Sequence, residues 1–145
     1  LLLFSSELEL IVNNNCKMSK LIIDATKDKI FLMIINNDIN YHMSLENSKN
    51  NYEKLTILIN EFLMMKNLDI TKIDQIYVNR GPGSFAGIRN SLSIVKAFHL
   101  VNKIDYYCFS FKDFGDKSDV KYENIPELCK KIKVKKNLIN PIYLS

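Results

Sequence analysis

The stretch "NRGPGSFAGIRNSL", residues 79–92, contains most of the chain's glycine and proline residues. Gly81, Pro82, Gly83 and Gly87 lie within seven positions of a 145-residue sequence that has only four glycines and three prolines. A short apolar run precedes them, and a run with helical spacing comes after them. Because glycine permits tight turns and close backbone approach, the pattern predicts a strand, a turn and a helix.

Three strands are predicted before this turn. The runs "KLIIDAT" (20–26), "KIFLMII" (29–35) and "INYHMSL" (39–45) are apolar or alternating, and "NND" (36–38) is the turn between the last two. Such short connections join antiparallel strands, so we expect a meander.

Residues 48–66 change to a helical period, and Asn67 is expected to end the helix. Its apolar face consists of side chains three or four positions apart: Tyr52, Leu55, Ile59, Phe62 and Leu63. A fourth strand is predicted at about residues 75–79, directly before the glycine-rich turn.

A second helix is predicted over about residues 85–102, and "DYYCFSF" (105–111) as a fifth strand. The order is therefore β-β-β-α-β-α-β, an α/β fold with a mixed five-stranded sheet whose last two strands run parallel. The apolar stripe of the second helix comprises Ile88, Leu92, Val95 and His99, with Ile94, Phe98 and Val101 beside it.

The pattern weakens after Phe114. "IPELCKKIKV" (125–134) predicts one short helix, and "NPIYLS" (140–145) a final strand. At the other end, residues 1–17 do not fit the pattern of the strands after them. We expect Met18 to be the native start and residues 1–17 to be an extension outside the fold.

Composition indicates a globular domain, with 47% hydrophobic and 25% charged residues. The net charge is +4, and much of it comes from "CKKIKVKK" (129–136), interpreted as a solvated face or frayed tail rather than a nucleic-acid contact. The three cysteines (Cys16, Cys108 and Cys129) form no Cys-x-x-Cys pair, so we expect neither a zinc site nor a disulfide framework. A reducing compartment is expected for such a chain. No apolar run approaches transmembrane length.

Three interpretations of the quoted stretch remain open. It is pure architecture if the glycines only permit a tight turn and Ser84 caps the next helix. It is a phosphate cradle if the backbone N–H groups at the helix start face an anion. Gly81-x-Gly83-x-x-Ala86 fits the loose dinucleotide fingerprint, but that motif belongs in a first βαβ unit, and no Gly-Lys-Ser/Thr of a P-loop is present.

The third interpretation is an interaction surface on the second helix, which carries Arg89, Asn90, Ser93 and Lys96 among apolar residues. Little other chemistry is indicated. His42 and His99 are interpreted as structural. Asp24 ends the first strand, where a solvent-exposed cap is favoured over a metal-binding or phosphate-facing acid.

The motif "YVNRGPGSFAGIRNSLSIVKAF" (77–98) resembles the signature of the TsaB (YeaZ) family of bacterial tRNA threonylcarbamoyladenosine biosynthesis proteins. "KLIIDAT" is similar to the family's opening strand and "PIYLS" (141–145) to its closing Pro-x-Tyr-Leu-Arg. The resemblance covers about residues 18–111 and 141–144. The matching signature residues are Gly81, Pro82, Gly83, Ser84, Phe85, Gly87 and Arg89, whereas Ala86 stands where Thr is usual.

The resemblance implies half of an actin-like ATPase (ASKHA, ribonuclease H-like) fold and a cytoplasmic, non-catalytic scaffold subunit. The expected partners are a TsaD-like catalytic subunit and a TsaE-like ATPase, with tRNA reached through the complex. No cofactor of its own is implied, and ATP belongs to the assembled complex. The implied partner-binding residues are Gly81, Gly83, Ser84, Phe85, Gly87, Arg89, Ser93 and Lys96, and Asp24 and Thr26 are vestigial phosphate-facing residues.

The chain departs from the family in length. Only about 30 residues separate the fifth strand from "PIYLS", too few for the family's second domain. We therefore expect an N-terminal ASKHA domain at 18–114 and a reduced C-terminal remnant at 115–145. Two alternatives stay open: an ATP-binding enzyme of the same fold, and a homodimeric interaction module.

Overall fold

Five strands form one mixed sheet in the computed structural model, which describes residues 19–115 and 119–143. Strands β1 to β3 form an antiparallel meander, β4 pairs parallel with β1, and β5 pairs parallel with β4. The spatial order is β3-β2-β1-β4-β5. The strands are β1 (Ser19–Asp24), β2 (Lys29–Asn36), β3 (Ile39–Glu46), β4 (Ile73–Asn79) and β5 (Asp105–Phe109).

This sheet confirms the predicted order and the predicted mixed five-stranded architecture. The expected extension at residues 1–17 lies outside the described residues. The fifth strand is shorter than predicted, because Ser110 and Asp113 form a capping box that starts a 3-10 helix over Phe111–Phe114.

Four α-helices are described: α1 (Lys49–Glu53), α2 (Leu55–Met65), α3 (Phe85–Asn102) and α4 (Ile125–Lys131). The single helix predicted over 48–66 was wrong in one respect, because Lys54 adopts φ −102° and ψ 11° and separates α1 from α2. Asn67 ends this region as predicted, with φ 56°, and the Leu68 N–H donates to the Leu63 carbonyl at 2.9 Å.

The sheet is covered on both faces, because successive residues of each strand point to opposite sides. Leu21 and Ile23 of β1 pack with the side of the sheet that carries α2 and α3. Ile22, between them, packs with the opposite side, which the C-terminal segment covers through Ile125 and Cys129. Each side has its own buried apolar cluster.

The final strand predicted at 140–145 was wrong for its described part, because residues 140–143 form no strand. This segment instead lies against the glycine-rich turn, and the Ile142 N–H donates to the Arg80 carbonyl at 2.7 Å. Within 19–115 and 119–143, no helix is long and apolar enough to cross a bilayer.

Candidate functional site

The turn between β4 and α3 is packed between two other segments. Gly81 has φ 112°, and its N–H donates to the Asn79 side-chain oxygen at 2.9 Å. A Cβ on Gly81 would overlap the Ile142 carbonyl oxygen and lie 2.9 Å from the Ile88 side chain. Glycine is therefore required here both by backbone conformation and by space.

The other two glycines of the motif face the loop after β1. A Cβ on Gly83 would overlap the Thr26 carbonyl oxygen, and one on Gly87 would overlap the Ala25 carbonyl oxygen. The Ser84 N–H donates to the Thr26 carbonyl oxygen at 2.8 Å. These contacts fix the start of α3 on the loop after β1, so the turn has an architectural role.

Ser84 also begins α3. Its Oγ accepts a hydrogen bond from the Gly87 N–H at 3.2 Å, as predicted for an N-cap. That hydroxyl therefore satisfies one of the N–H groups that the phosphate-cradle interpretation would leave for an anion.

Asp24 is the centre of a buried polar cluster. It is 2% exposed, so the expectation of a solvent-exposed cap was wrong. Oδ1 accepts from the Thr26 N–H at 3.0 Å and from the Thr26 hydroxyl at 2.7 Å. Oδ2 accepts from the Asn79 amide at 3.0 Å and from the Tyr122 hydroxyl at 2.6 Å.

Four protein donors thus hold the Asp24 carboxylate, two on each oxygen. The burial of Tyr122 raises the pKa of its hydroxyl, and the neighbouring Asp24 carboxylate raises it further. Tyr122 consequently stays a neutral donor at physiological pH. Asp24 is therefore a structural acceptor that joins β1, β4 and the C-terminal segment.

A cavity of about 860 Å³ adjoins this cluster. Two lysines, Lys27 and Lys112, lie on its walls and would favour an anionic occupant. The other lining residues are Thr26, Asn79, Gly81, Pro82, Ser110, Phe111, Gly115, Val120 and Tyr122. No three His, Cys, Asp or Glu side chains cluster to hold a metal ion anywhere in 19–115 or 119–143.

The exposed side of α3 begins directly after the turn. Phe85 is 55% exposed, and its ring centroid lies 4.7 Å from that of Tyr143. Arg89, Ser93 and Lys96 come next on the outward side of the helix. Leu100 and Val101 extend it, and Val101 was wrongly predicted to border the buried stripe, since it is 77% exposed.

Helix α2 also exposes apolar side chains, Ile57, Met64 and Met65. We call the outward side chains of the two helices the helix surface. Its members are Ile57, Met64, Met65, Phe85, Arg89, Ser93, Lys96, Leu100 and Val101.

The predicted partner-binding residues divide into two groups. Phe85, Arg89, Ser93 and Lys96 lie on the helix surface. The remaining four are the turn residues Gly81, Gly83, Ser84 and Gly87, which contact other segments of the chain and position α3.

Both histidines have structural contacts. The Nδ1 atom of His99 lies 2.9 Å from the Ile104 carbonyl oxygen, and the ring packs edge-on against Tyr106. His42 stacks on Phe31 with ring centroids 5.9 Å apart. These contacts fit the interpretation of both histidines as structural, which stays a prediction.

Sequence reasoning missed Asn79, Tyr122 and Ile142. Asn79 had a signal, because a polar residue closes an otherwise apolar strand before the glycines. Tyr122 had none, since it lies 98 positions from its partner Asp24. Ile142 contributes through its backbone, which carries no residue-specific signal.

Comparison with known proteins found one matching protein family and several similar structures. The family model of TsaD, tRNA N6-adenosine threonylcarbamoyltransferase, matches residues 30–110. No curated protein matches the sequence.

Among solved structures, YeaZ from Pseudomonas aeruginosa is similar with a TM-score of 0.59 and 16% identity, over 64% of this chain and 44% of that one. A second structure, described as an uncharacterized protein with similarity to peptidase YEAZ from Pseudomonas aeruginosa, has the same score and identity and is covered over 43% of its length. At this identity the likeness shows the fold alone, and the chain spans less than half of either protein.

The fold is therefore an ASKHA, ribonuclease H-like half, as the resemblance to the TsaB family implied. The family model covers more than half of the chain, including the glycine-rich turn and α3. The chain belongs to the TsaD family of tRNA N6-adenosine threonylcarbamoyltransferases, as a TsaB (YeaZ)-like member.

Proposed function

We propose that this chain is a non-catalytic scaffold subunit of the machinery that makes threonylcarbamoyladenosine in tRNA. It pairs with a TsaD-like catalytic subunit through the helix surface. Family membership supports the involvement in tRNA modification. The observation that carries the pairing is the exposure of apolar side chains on two helices, α2 and α3, of which the motif positions α3.

The composition of the helix surface suits a protein partner. Large apolar side chains that remain 55–77% exposed on neighbouring elements are typical of interaction sites. Arg89 and Lys96 add positive charge beside them, which favours an acidic rim on the partner. Interfaces combine an apolar centre with such a polar border.

The turn gives this surface a fixed orientation. Gly83 and Gly87 bring α3 against the loop after β1, and Ser84 caps the helix on that loop. A rigid surface loses little conformational entropy on binding, which favours affinity. The motif thus acts by positioning α3, and the exposed residues beyond it make the contacts.

The state of Asp24 supports a role without catalysis. Its carboxylate already accepts from Thr26, Asn79 and Tyr122. A metal-bound phosphate would have to displace at least one of these donors, which costs the bond and leaves a buried group unpaired. ATP and the TsaE-like ATPase are accordingly assigned to the assembled complex, and tRNA is reached through it.

Co-purification tests the pairing. The tagged chain is co-expressed with the TsaD-like protein of the same host, and a stable complex is expected. Arg89→Glu and Met64→Asp, which introduce negative charge into the helix surface, should each weaken it at least about tenfold. Matched controls, Lys121→Glu and Ile132→Asp, make the same changes at exposed positions of the C-terminal segment.

If the controls weaken the complex as much as the helix-surface variants do, the surface assignment is wrong. A folded chain that never retains the TsaD-like protein would overturn the pairing itself. In the host, deletion of the gene should abolish threonylcarbamoyladenosine in digested tRNA measured by mass spectrometry, and unchanged modification would contradict the proposed role.

A second candidate is ATP binding by this chain alone. The cavity beside Asp24, with Lys27 and Lys112 on its walls, favours it. Calorimetry with Mg-ATP should show no binding if the chain is a scaffold. Micromolar binding that Lys27→Ala and Lys112→Ala remove would favour the ATP-binding function instead.

A third candidate is self-association, because the helix surface could equally cover a second copy in an isologous dimer. Light scattering over a dilution series separates the two cases. A dimer that Met64→Asp dissociates would assign the surface to self-association in the absence of the partner.

A further inference from the structure

A second charged surface lies on the C-terminal segment, which packs on the face of the sheet opposite α2 and α3. Five lysines stand within seven residues there, and all five are exposed. They are Lys130, Lys131, Lys133, Lys135 and Lys136, and we call them the lysine surface. The run was expected to be a solvated face or a frayed tail. The exposure of the lysines fits a solvated face, and the helical and bridged backbone that carries them does not fit a frayed tail.

The lysine surface is held on a rigid support. The Val134 N–H donates to the Cys129 carbonyl at 2.9 Å, which closes the end of α4. Lys136 forms a β-bridge with Tyr107, and the Asn137 N–H donates to the Tyr106 carbonyl at 2.8 Å. The end of α4 and the edge of β5 therefore fix the backbone positions from which the five lysines project.

A hollow of about 420 Å³ adjoins this surface. Lys130 and Lys133 line it together with Lys20 of β1, so three cations surround one concavity. Tyr77 and Tyr107 also line it, with ring centroids 5.0 Å apart and planes 11° apart. Tyr77 is buried, at 4% exposure, so the aromatic pair forms the floor of the hollow and the three lysines supply its charge. Lysines grouped on one face are typical of surfaces that contact nucleic acid.

Acidic side chains offset only part of this charge. Lys136 lies 3.7 Å from Asp105, in an exposed pair. Glu127 also lines the hollow. Among the described residues, Lys136 is the one member of the lysine surface with a carboxylate within 4.0 Å. The other four are available to an external anion.

We propose that the lysine surface binds the sugar-phosphate backbone of tRNA, an inference that rests on the proposed function in tRNA modification. Lysine is a point charge that contacts phosphate without reading bases, so the contact is independent of sequence and orients the tRNA. The surface lies on the other face of the sheet from the helix surface. One chain therefore holds its protein partner and contacts tRNA at the same time.

A membrane is the other polyanion that such a surface would meet. Membrane-binding helices present a broad apolar face beside their cations. Here Ile132 and Leu138, 41% and 42% exposed, are the large apolar side chains in this region that stand clear of the protein. The surface therefore favours nucleic acid.

The test measures binding of a fluorescein-labelled, unmodified tRNA transcript to the isolated full chain by anisotropy, over a range of salt concentrations. Lys130→Gln/Lys133→Gln should weaken binding about tenfold for every tRNA sequence and lower the salt slope by about two. Lys49→Gln/Lys54→Gln, an equal charge change on and beside α1, should leave both unchanged. Thermal melts should be alike, because all four lysines are exposed.

Three results would overturn the proposal: no tRNA binding by the wild-type chain at about 50 mM salt, equal losses in the two double variants, or binding to phosphatidylserine vesicles in place of tRNA. The assay contains no TsaD-like protein. A chain that fails here yet co-purifies with that protein keeps the proposed function and loses this inference alone.

Discussion

Gly87 is a position in a helix where the lack of a Cβ atom is needed, although helices ordinarily favour alanine over glycine. It lies within α3, where replacement of glycine by alanine ordinarily stabilises a helix by about 1 kcal/mol. A Cβ at this position would overlap the Ala25 carbonyl oxygen and lie 3.2 Å from the Asn47 amide nitrogen. Backbone atoms of the loop after β1 cannot move without moving the strand.

We therefore predict that Gly87→Ala destabilises the protein by about 2–4 kcal/mol, since overpacking against backbone outweighs helix propensity. Urea unfolding measures the change. Ser93→Ala, at an exposed position of the same helix, is the control and should stay within about 0.5 kcal/mol. A stabilised Gly87→Ala variant would mean that α3 does not approach β1 this closely.

Tyr122 is the remote member of the Asp24 cluster. Tyr122→Phe removes the donor at 2.6 Å and leaves Asp24 Oδ2 with only Asn79. We expect a loss of about 1–2 kcal/mol in the free energy of unfolding, because a buried carboxylate loses a hydrogen bond. Tyr143→Phe, at a 42% exposed position, should change it little. Equal effects would place Tyr122 outside the cluster.

Cys108 and Cys129 give a prediction about pH. Burial raises the pKa of the Cys108 thiol to about 11 and that of Cys129 to about 12. The thiols of the unfolded chain have lower pKa values, about 8.5. Folding therefore keeps both thiols neutral, and this contribution to stability is full below about pH 8.5 and falls as pH rises toward the folded values.

In a Cys16→Ser variant, both thiols should resist iodoacetamide at about pH 8 and react once urea unfolds the chain. The urea midpoint of this variant should decrease as the pH is raised from about 8.5 to about 10.5. When Cys108→Ala/Cys129→Ala is compared with its own midpoint at about pH 7, the decrease should be smaller. Rapid alkylation of the folded protein would contradict the buried positions.

At the scale of elements, Arg80 joins three segments that are distant in sequence. It comes directly after β4, its guanidinium donates to both oxygens of Asp113, at 2.7 Å and 3.4 Å, and it donates to the Asn140 carbonyl at 3.1 Å. Its own carbonyl accepts from Ile142. Planar, bidentate pairing of this kind is specific to arginine.

We predict that Arg80→Gln releases the segment 140–143 from the glycine-rich turn. Hydrogen exchange measured by mass spectrometry should show at least about tenfold faster exchange at the Ile142 amide, because its hydrogen bond is then opened locally. Peptides from β1 should remain protected. Arg89→Gln, the same change on the helix surface, is the control, and equal exchange in both variants would contradict the role of Arg80.

Whole-molecule stability depends on the C-terminal segment, because it covers one face of the sheet. Ile125 is fully buried there against the cluster that contains Ile22 and Phe109. Ile125→Ala should therefore cost about 2–4 kcal/mol by urea unfolding. Ile132→Ala, in the same segment and 41% exposed, should cost less than about 1 kcal/mol. Similar losses would mean that the segment does not cover the sheet.

The fold was largely predictable because its information is local. The apolar runs of β1 and β2, the alternation in β3 and the 3.6-residue period of α3 are properties of consecutive residues. The glycine-rich turn at Gly81 to Gly87 separates β4 from α3 at one place. The split at Lys54 was not predictable, since the apolar period continues through it. The end of β5 at Phe109 was not predictable either. The apolar run continues to Phe111, but the capping box of Ser110 and Asp113 starts a 3-10 helix there.

The sequence by itself determined the order of the elements, the parallel pairing at β4 and β5, the cap at Ser84 and the family signature. Only the tertiary structure decided that Asp24 is enclosed, that residues 140–143 lie against the turn instead of forming a strand, and that the backbone carrying the lysines is fixed by α4 and the edge of β5. The physical reason is separation along the chain. Periodicity and capping act within a few residues, whereas the hydrogen bond from Tyr122 to Asp24 crosses 98 positions and exists only after the sheet is covered on both faces.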